Sequence, residues 1–390
     1  MSATILVTDA DQRSGLAVVR SLGQAGYRVY VCSASAGPLA AASRYCRGHT
    51  VVPDALHEPE RFAEAVAGLT RAMSVDVLLP LTDPSVLAVL CHRKEFEPAR
   101  IPLPGLETYL AASDKAALLA TAQTVGLDVP AQIVASSATV PPDIARLRFP
   151  VVLKPHRSVA EGMKHPVRHA ADFAALSAAL SALPAGAFPV LVQERIVGPG
   201  MGLFLLRWEG RLQAAFAHRR LLEKPPSGGV SVRCESVASD PILLDKAERL
   251  LRALDWQGVA MVECKLDQSS GRAYLMEVNG RFWGSLQLAI DAGVDFPVQL
   301  VRLALGQPTT PMTTWKHGTR LRWSLGEVDH VLTRLRRSPD SLALPPDLPS
   351  LGSVVSAFFT APIAGFRGEV LRWKDPAPAF REVLNWFRRA

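Results

Sequence analysis

The chain has 390 residues, 48% of them hydrophobic, with a formal net charge of +7 and five cysteines. At roughly 100 to 200 residues per domain, this length calls for two or three units rather than one small core. No run reaches the roughly 18 apolar residues that a membrane span requires, and the opening MSATILVTDA lacks the basic segment and cleavage site of a secretory signal. The expectation is a cytoplasmic protein.

Cys32, Cys46, Cys91, Cys234 and Cys264 show no C-x-x-C spacing, which argues for reduced thiols and against structural zinc. Any metal must therefore use oxygen ligands. The first elements alternate: the strand-like TILVT, YRVYVCS and VDVLLPL are separated by the helix-like SGLAVVRSLGQAG and FAEAVAGLTRAM. That is the βαβ pattern of a parallel sheet with helices on both faces. The first turn, DADQRSG, lacks G-x-G-x-x-G, which weakens a dinucleotide reading.

Next comes AASDKAALLATAQTVGLDVP, where Ser113 is expected to cap a helix that Gly126 and Pro130 end. Lys115 then falls in the first turn, where a cation opposes the helix dipole. It is either an ordinary surface lysine or a partner for an anion at the helix start. The strands FPVVLKP, with Lys154 on the face of Val152, and FPVLVQERIVGPG, turning polar at Gln193 and Glu194, flank the helix ADFAALSAALSAL. Paired, they would form a small α+β unit.

In GVAMVECKLDQSSGRAYLMEVNGR, the turn DQSSG separates two alternating runs. A five-residue loop centred on Ser270 would pair Asp267 with Ala273, Lys265 with Leu275 and Glu263 with Glu277. Leu275, Glu277 and Asn279 would share one face. Like charges directly opposite are destabilising, and burying them uncompensated costs more, so a cation is expected between them. Oxygen donors of this kind suit Mg²⁺. The plainer alternative pairs Glu263 with Lys265 or Arg281 on a surface strand.

From Pro311 onward there are 12 Lys and Arg against 7 Asp and Glu. AFREVLNWFRRA reads as an amphipathic helix with Phe380, Val383, Leu384 and Phe387 on one stripe. The stripe packs on the body or on a partner subunit, or it joins VVSAFFTAPIAGF in a weak contact with an anionic membrane. No zinc-finger spacing or RNA-binding aromatic pattern accompanies the charge, so nucleic acid is not expected.

These signals, in this order, resemble the ATP-grasp superfamily, and within it the carboxylate-amine ligases related to the biotin carboxylase and carbamoyl phosphate synthase folds. SDKAALL, FPVVLKP, VQERIVG, AMVECK and LMEVNGRFWGS carry the resemblance, which runs from the N-terminus to about Gly306. It implies a mixed α/β and α+β fold: a parallel βαβ (pre-ATP-grasp) domain over 1–110, an ATP-grasp domain over 111–308 and a basic, partly apolar extension over 309–390. A mobile small subdomain is expected at about 130–197.

By match, Lys115 and Lys154 would contact ATP phosphates, and Glu194 with the backbone of Arg195 and Val197 would read the adenine. Glu263, Glu277 and Asn279 would hold Mg²⁺, or Mn²⁺ in its place, and Arg281 and Arg220 would lie near the reacting carboxylate. The usual glycine-rich lid is reduced to Gly162 in KPHRSVAEGMKHPVRHA, which shifts closure to Arg157, Lys164 and Arg168. GPGMGLF lacks an acid for the ribose. The implied activity joins a small-molecule carboxylate to an amine through an acyl phosphate, in a monomer or a homo-oligomer, free in the cytoplasm or peripheral to a membrane. Two other readings are a catalytically weak nucleotide-binding or membrane-associated scaffold of the same fold and an NAD-linked oxidoreductase.

Overall fold

The computed structural model describes residues 2–156, 159–160, 163–164, 167–338, 342, 344–345 and 348–389. The chain opens with a parallel sheet in the order β3-β2-β1-β4, made of β1 (Thr4–Val7), β2 (Arg28–Ser33), β3 (Cys46–Val51) and β4 (Val77–Leu79). Ile5 and Val7 of β1 enter one core while Leu6 enters the other, as the two-residue period of a strand covered on both faces requires. Helices Arg13–Gln24 and Pro59–Ala72 supply those covers.

A second, antiparallel sheet has the order β5-β10-β6-β9. Its strands are β5 (Gln132–Ala135), β6 (Val151–Pro155), β9 (Arg168–Ala170) and β10 (Val190–Glu194), with a small hairpin β7 (Val159–Ala160) and β8 (Met163–Lys164) between β6 and β9. Helix Phe173–Ser181 packs Leu176 and Leu180 into a core of its own with Val151, Leu153, Val190 and Val192. The two F-P-V strands do pair, Leu191 opposite Lys154 and Gln193 opposite Val152.

The third sheet runs β15-β14-β11-β12-β13-β16-β17, from β11 (Gly200–Trp208), β12 (Arg211–Lys224), β13 (Val230–Ser236), β14 (Gly258–Leu266), β15 (Ala273–Asn279), β16 (Arg320–Arg322) and β17 (Phe366–Gly368). Alternation again buries both faces: Phe204 and Leu206 on one side of β11, Leu203 and Leu205 on the other. The last two strands come from the tail, which is thus built into the sheet. Arg20, 4% exposed, fastens it further: its guanidinium donates to Asp375 Oδ2 at 2.8 Å and to the carbonyls of Glu369, Val370 and Asp375 at 3.1, 2.8 and 2.8 Å.

Three local expectations change. Asp114, not Ser113, caps helix Lys115–Thr124, its side chain accepting from the Ala117 N–H at 2.9 Å; Ser113 ends the preceding helix, Leu106–Ser113. The register at the β14–β15 turn is shifted by one residue, pairing Leu266 with Ala273 and Lys265 with Tyr274, and a bulge between Glu263 and Cys264 then restores Glu263 opposite Glu277. That extra residue turns Leu275 into the core, so it does not share the face of Glu277. The C-terminal helix Ala377–Arg389 forms, but its apolar stripe is not packed on the body: Phe380 and Phe387 are 69% and 68% exposed. Its polar side docks instead, Trp386 Nε1 donating to Asp329 at 2.8 Å and Asn385 to the Gly37 carbonyl at 3.0 Å. Among the described residues, no helix is long and apolar enough to cross a membrane, and all five cysteines are free.

Candidate active site

The second and third sheets enclose a cleft of about 470 Å³. One wall is the β14–β15 hairpin with β12, presenting Glu263, Lys265, Met276, Glu277, Arg220 and Glu223; the other is β6, β9 and β10, presenting Val152, Lys154, His169, Gln193 and Glu194. Lys115, 7% exposed, enters from the first turn of its helix. Gly198 lets the hinge after β10 lie against the hairpin, for at φ +147° a Cβ there would stand 1.9 Å from the Leu266 carbonyl oxygen.

The bulge leaves the two acids opposed, and the cations that answer them come from elsewhere in the chain. Arg220 grips Glu263 bidentately, Nη1 to Oε1 and Nη2 to Oε2 each at 2.8 Å, while also donating to Glu223 at 2.9 Å and to the Gly229 carbonyl at 2.8 Å. Neither Lys265 nor Arg281 takes that place. Burial works against the charge on Arg220, but Glu263 and Glu223 outweigh it and hold the guanidinium more firmly protonated than usual.

Glu277 lies 3.4 Å from Lys115 Nζ and accepts from the Asn279 amide at 3.1 Å. Burial again opposes its charge, yet Lys115, Lys154 and that hydrogen bond keep it below the usual carboxylate value. Lys154 donates to Gln193 Oε1 at 2.8 Å and rests 3.5 Å from the Met276 sulfur. Burial, with Lys115 beside it, lowers its pKa to about 8 despite the nearby Glu277 and Glu263.

Glu194 borders the cleft and accepts from the Arg148 N–H at 2.8 Å. The Arg195 N–H is bonded to the Pro150 carbonyl at 3.1 Å, and the Val197 carbonyl accepts from Gln268 at 2.9 Å, fixing the hinge. Arg281 turns away from the acid pair: Nε and Nη2 each reach Asp83 at 3.2 Å, and Nη2 reaches Asn279 Oδ1 at 3.4 Å. Asp83 also accepts from the Tyr109 hydroxyl at 2.8 Å.

Sequence reasoning misses Asp83, Tyr109, Glu223, Met276 and His169. Asp83 alone carried a usable signal, an acid just past a strand of a parallel sheet, where such sheets gather their ligands. His169 faces the cleft, its pKa lowered to about 4 by burial and by Arg195, Lys265 and Lys154. Of the expected lid, Arg157, Gly162 and the Lys164 side chain lie outside the described residues. Arg168 is placed on the other side of its strand, donating to the Ala182 carbonyl at 3.5 Å.

Among the described residues, no cluster of three or more His, Cys, Asp or Glu has metal-binding geometry. Glu263, Glu277 and the Asn279 amide offer instead a small set of hard oxygen donors, the kind that leaves most of the shell of Mg²⁺ to phosphate and water. Their chemistry suits that ion, while both Glu263 oxygens are held by Arg220 and the Asn279 oxygen accepts from Arg281.

Residues 187–326 match the family described as "ATP-grasp in the biosynthetic pathway with Ter operon". No curated protein matches the sequence. Among solved structures, an ADP complex of N5-carboxyaminoimidazole ribonucleotide synthetase is similar with TM-score 0.67 and 14% identity over 93% of this chain and 97% of that one. A biotin carboxylase complex with β,γ-ATP from Campylobacter jejuni gives TM-score 0.64 and 16% identity over 82% and 74%. An L-amino acid ligase from Bacillus licheniformis gives 0.59 and 17% over 79% and 75%. At these identities the likeness is one of fold.

Proposed function

We propose that this chain, an ATP-grasp protein by its fold, is an ATP-dependent ligase that phosphorylates a carboxylate and joins it to an amine or similar nucleophile. The observation that carries the reading is the pair of opposed glutamates, Glu263 and Glu277, each countered by a cation from another element, across a cleft from the half-buried amine of Lys154. Solved ATP-grasp neighbours with this fold include ligases and a biotin carboxylase, which supports the class of reaction.

A carboxylate is a poor electrophile because its leaving group would be oxide. In the proposed step a carboxylate oxygen bonds to the γ-phosphorus as the bond to the β,γ-bridging oxygen breaks and ADP leaves. The amine nitrogen then attacks the acyl carbon, the C–O bond to phosphate breaks, and the nitrogen gives up a proton. Catalysis of such a transfer is mostly positioning and charge neutralisation.

Lys115 and Lys154 are assigned to the phosphate oxygens, and Glu194 with the backbone of Arg195 and Val197 to the adenine. Glu263, Glu277 and Asn279 are assigned to Mg²⁺, which when bound would draw phosphate charge toward the hairpin. For Glu263 to take that role, Arg220 must release at least one carboxylate contact, and the freed guanidinium can then meet an anionic substrate group. Arg281, anchored by Asp83, holds Asn279 and is the second cation assigned to the reacting carboxylate.

The test is ADP and phosphate release from ATP and Mg²⁺ in the presence of pooled carboxylates and amines. Release that requires a carboxylate supports the ligase. Nucleotide binding without turnover for any pool would leave only a scaffold, and reduction of NAD without ADP release would point to the oxidoreductase.

A further inference from the structure

A second cavity, of about 700 Å³, lies beside the cleft and shares Pro225 with it. Three distant parts of the chain close it: the turn after β1 with Arg13, the end of β12 with Lys224, and helices Ser324–Arg336 and Ala377–Arg389 of the tail. Next to Pro225 stand two cations, each paired with an acid. Arg13 Cζ and Lys224 Nζ lie 4.0 and 5.1 Å from the centroid of the Trp323 ring, each steadied by an acid, Glu369 and Asp329 respectively. Arg13 also abuts the turn that follows β15, since a Cβ on Gly284 would stand 3.0 Å from its Nη2. Leu39, Leu325, Leu332 and Trp386 supply an apolar part of the lining, among polar and charged side chains that include Asp11, Gln12, Thr333 and Arg336.

We infer that this cavity is the acceptor pocket of the ligase and that it takes a carboxylate with a bulky apolar body. This rests on the ligase reading above. The space is within the range of pockets that enclose drug-sized ligands, and an acid as small as acetate or bicarbonate would leave most of it to water. Arg13 and Lys224 place cationic groups where the cavity meets the cleft, on the way to Arg220 in the cleft itself. The leucines and Trp386 receive the body. The tail thereby has a task in the chemistry: its two helices decide which acid fits.

The test uses indole-3-propionate, 4-phenylbutyrate and decanoate against acetate and bicarbonate, with the full chain, by calorimetric binding and by ADP release. Leu332→Trp fills the cavity and Lys224→Met removes one cation, while affinity for a non-hydrolysable ATP analogue reports whether each variant is folded. The three bulky acids should bind the unaltered protein and stimulate ADP release, with binding at least about tenfold weaker in both variants and nucleotide affinity unchanged. Equal stimulation by acetate or bicarbonate overturns the pocket assignment and leaves the ligase reading standing. Unchanged binding of the bulky acids in both variants also overturns it. If no acid of either size promotes ADP release, the ligase reading falls and the acceptor role falls with it, whatever the acids bind.

Discussion

The cleft and the tail both bury acids against arginines and lysines, but they do so to different degrees. Glu327 at the start of the tail is fully buried, with Arg322 Nε and Nη2 at 2.9 and 3.0 Å and Arg233 Nη2 at 2.5 Å. Arg20 is similarly saturated by Asp375 and three carbonyls. Glu263 and Glu277 retain 20% and 32% of their side-chain surface, and Glu277 meets its lysine only at 3.4 Å. A sealed and fully bonded pair can only hold parts of the chain together. A pair left open to solvent can change partners, which is what an incoming phosphate or ion requires.

The sharpest way to break this contrast is to mutate one acid from each set. Glu327→Gln should cost about 3–5 kcal/mol of stability, because it strands two buried guanidiniums, and denaturant melts will read it directly. A loss under about 1 kcal/mol would mean that the tail's network is not the staple described.

Glu277→Gln should do the reverse, lowering ATP turnover by about 100- to 1,000-fold, the size of effect seen when one preorganised electrostatic partner is lost, with an intact fold. From the hairpin alone, removing one of two opposed acids should stabilise the protein by relieving repulsion. The structure withdraws that expectation: Arg220 already neutralises Glu263, and the substitution leaves Lys115 and Lys154 facing each other with less opposing charge. Unchanged turnover at saturating Mg²⁺ would sink the assignment of Glu277.

These sites differ also in how far the sequence discloses them. Glu263 opposite Glu277 follows from strand alternation around a turn, although the predicted register near the turn was off by one and only the bulge recovers the pair. A bulge has no reliable local cue here. Asp114 and Ser113 are both good caps, so local chemistry does not choose between them. Arg220 could be placed near the site by family pattern, but its partner 43 residues away depends on the order of strands in the sheet. Contacts such as Arg13 with Glu369 span almost the whole chain, and no periodicity encodes them. For the last helix the period was legible and the buried face was not, because Glu382, Asn385 and Trp386 find polar partners that outweigh the exposure of Phe380 and Phe387.

Glu382 sits between the two regimes: it accepts from Trp323 Nε1 at 2.7 Å and lines the second cavity. Burial raises its pKa from 4.5 to about 7; the Trp323 hydrogen bond and Arg13 oppose the rise, while Glu369 and Asp329 add to it. The folded state then holds a proton that the unfolded chain has released, so this residue's contribution is full below about pH 4.5 and is lost as pH climbs through about 7. Between pH 5 and 8 the unaltered protein should lose about 1–3 kcal/mol more than Glu382→Gln, taking about 1.4 kcal/mol per pKa unit. Urea midpoints at the two pH values measure this, and parallel profiles would show that Glu382 is charged throughout.

The smallest effect belongs to Lys154, and it separates an exchanging site from a static one. With its pKa lowered to about 8, its amine is about half protonated at pH 8 in the free protein. A triphosphate brought against it favours the ammonium form, since opposite charge stabilises protonated lysine. Binding of a non-hydrolysable ATP analogue with Mg²⁺ at pH 8 should therefore take up about half a proton, a quantity that follows from the lowered pKa. Calorimetry in two buffers of different protonation enthalpy reads the uptake, and Lys154→Met subtracts the contribution of the nucleotide's own phosphate. At pH 6.5 the lysine is already protonated and the difference between protein and variant should vanish. If the difference is absent at pH 8 as well, the nucleotide phosphates do not approach Lys154, and the two walls of the cleft do not close on one ligand.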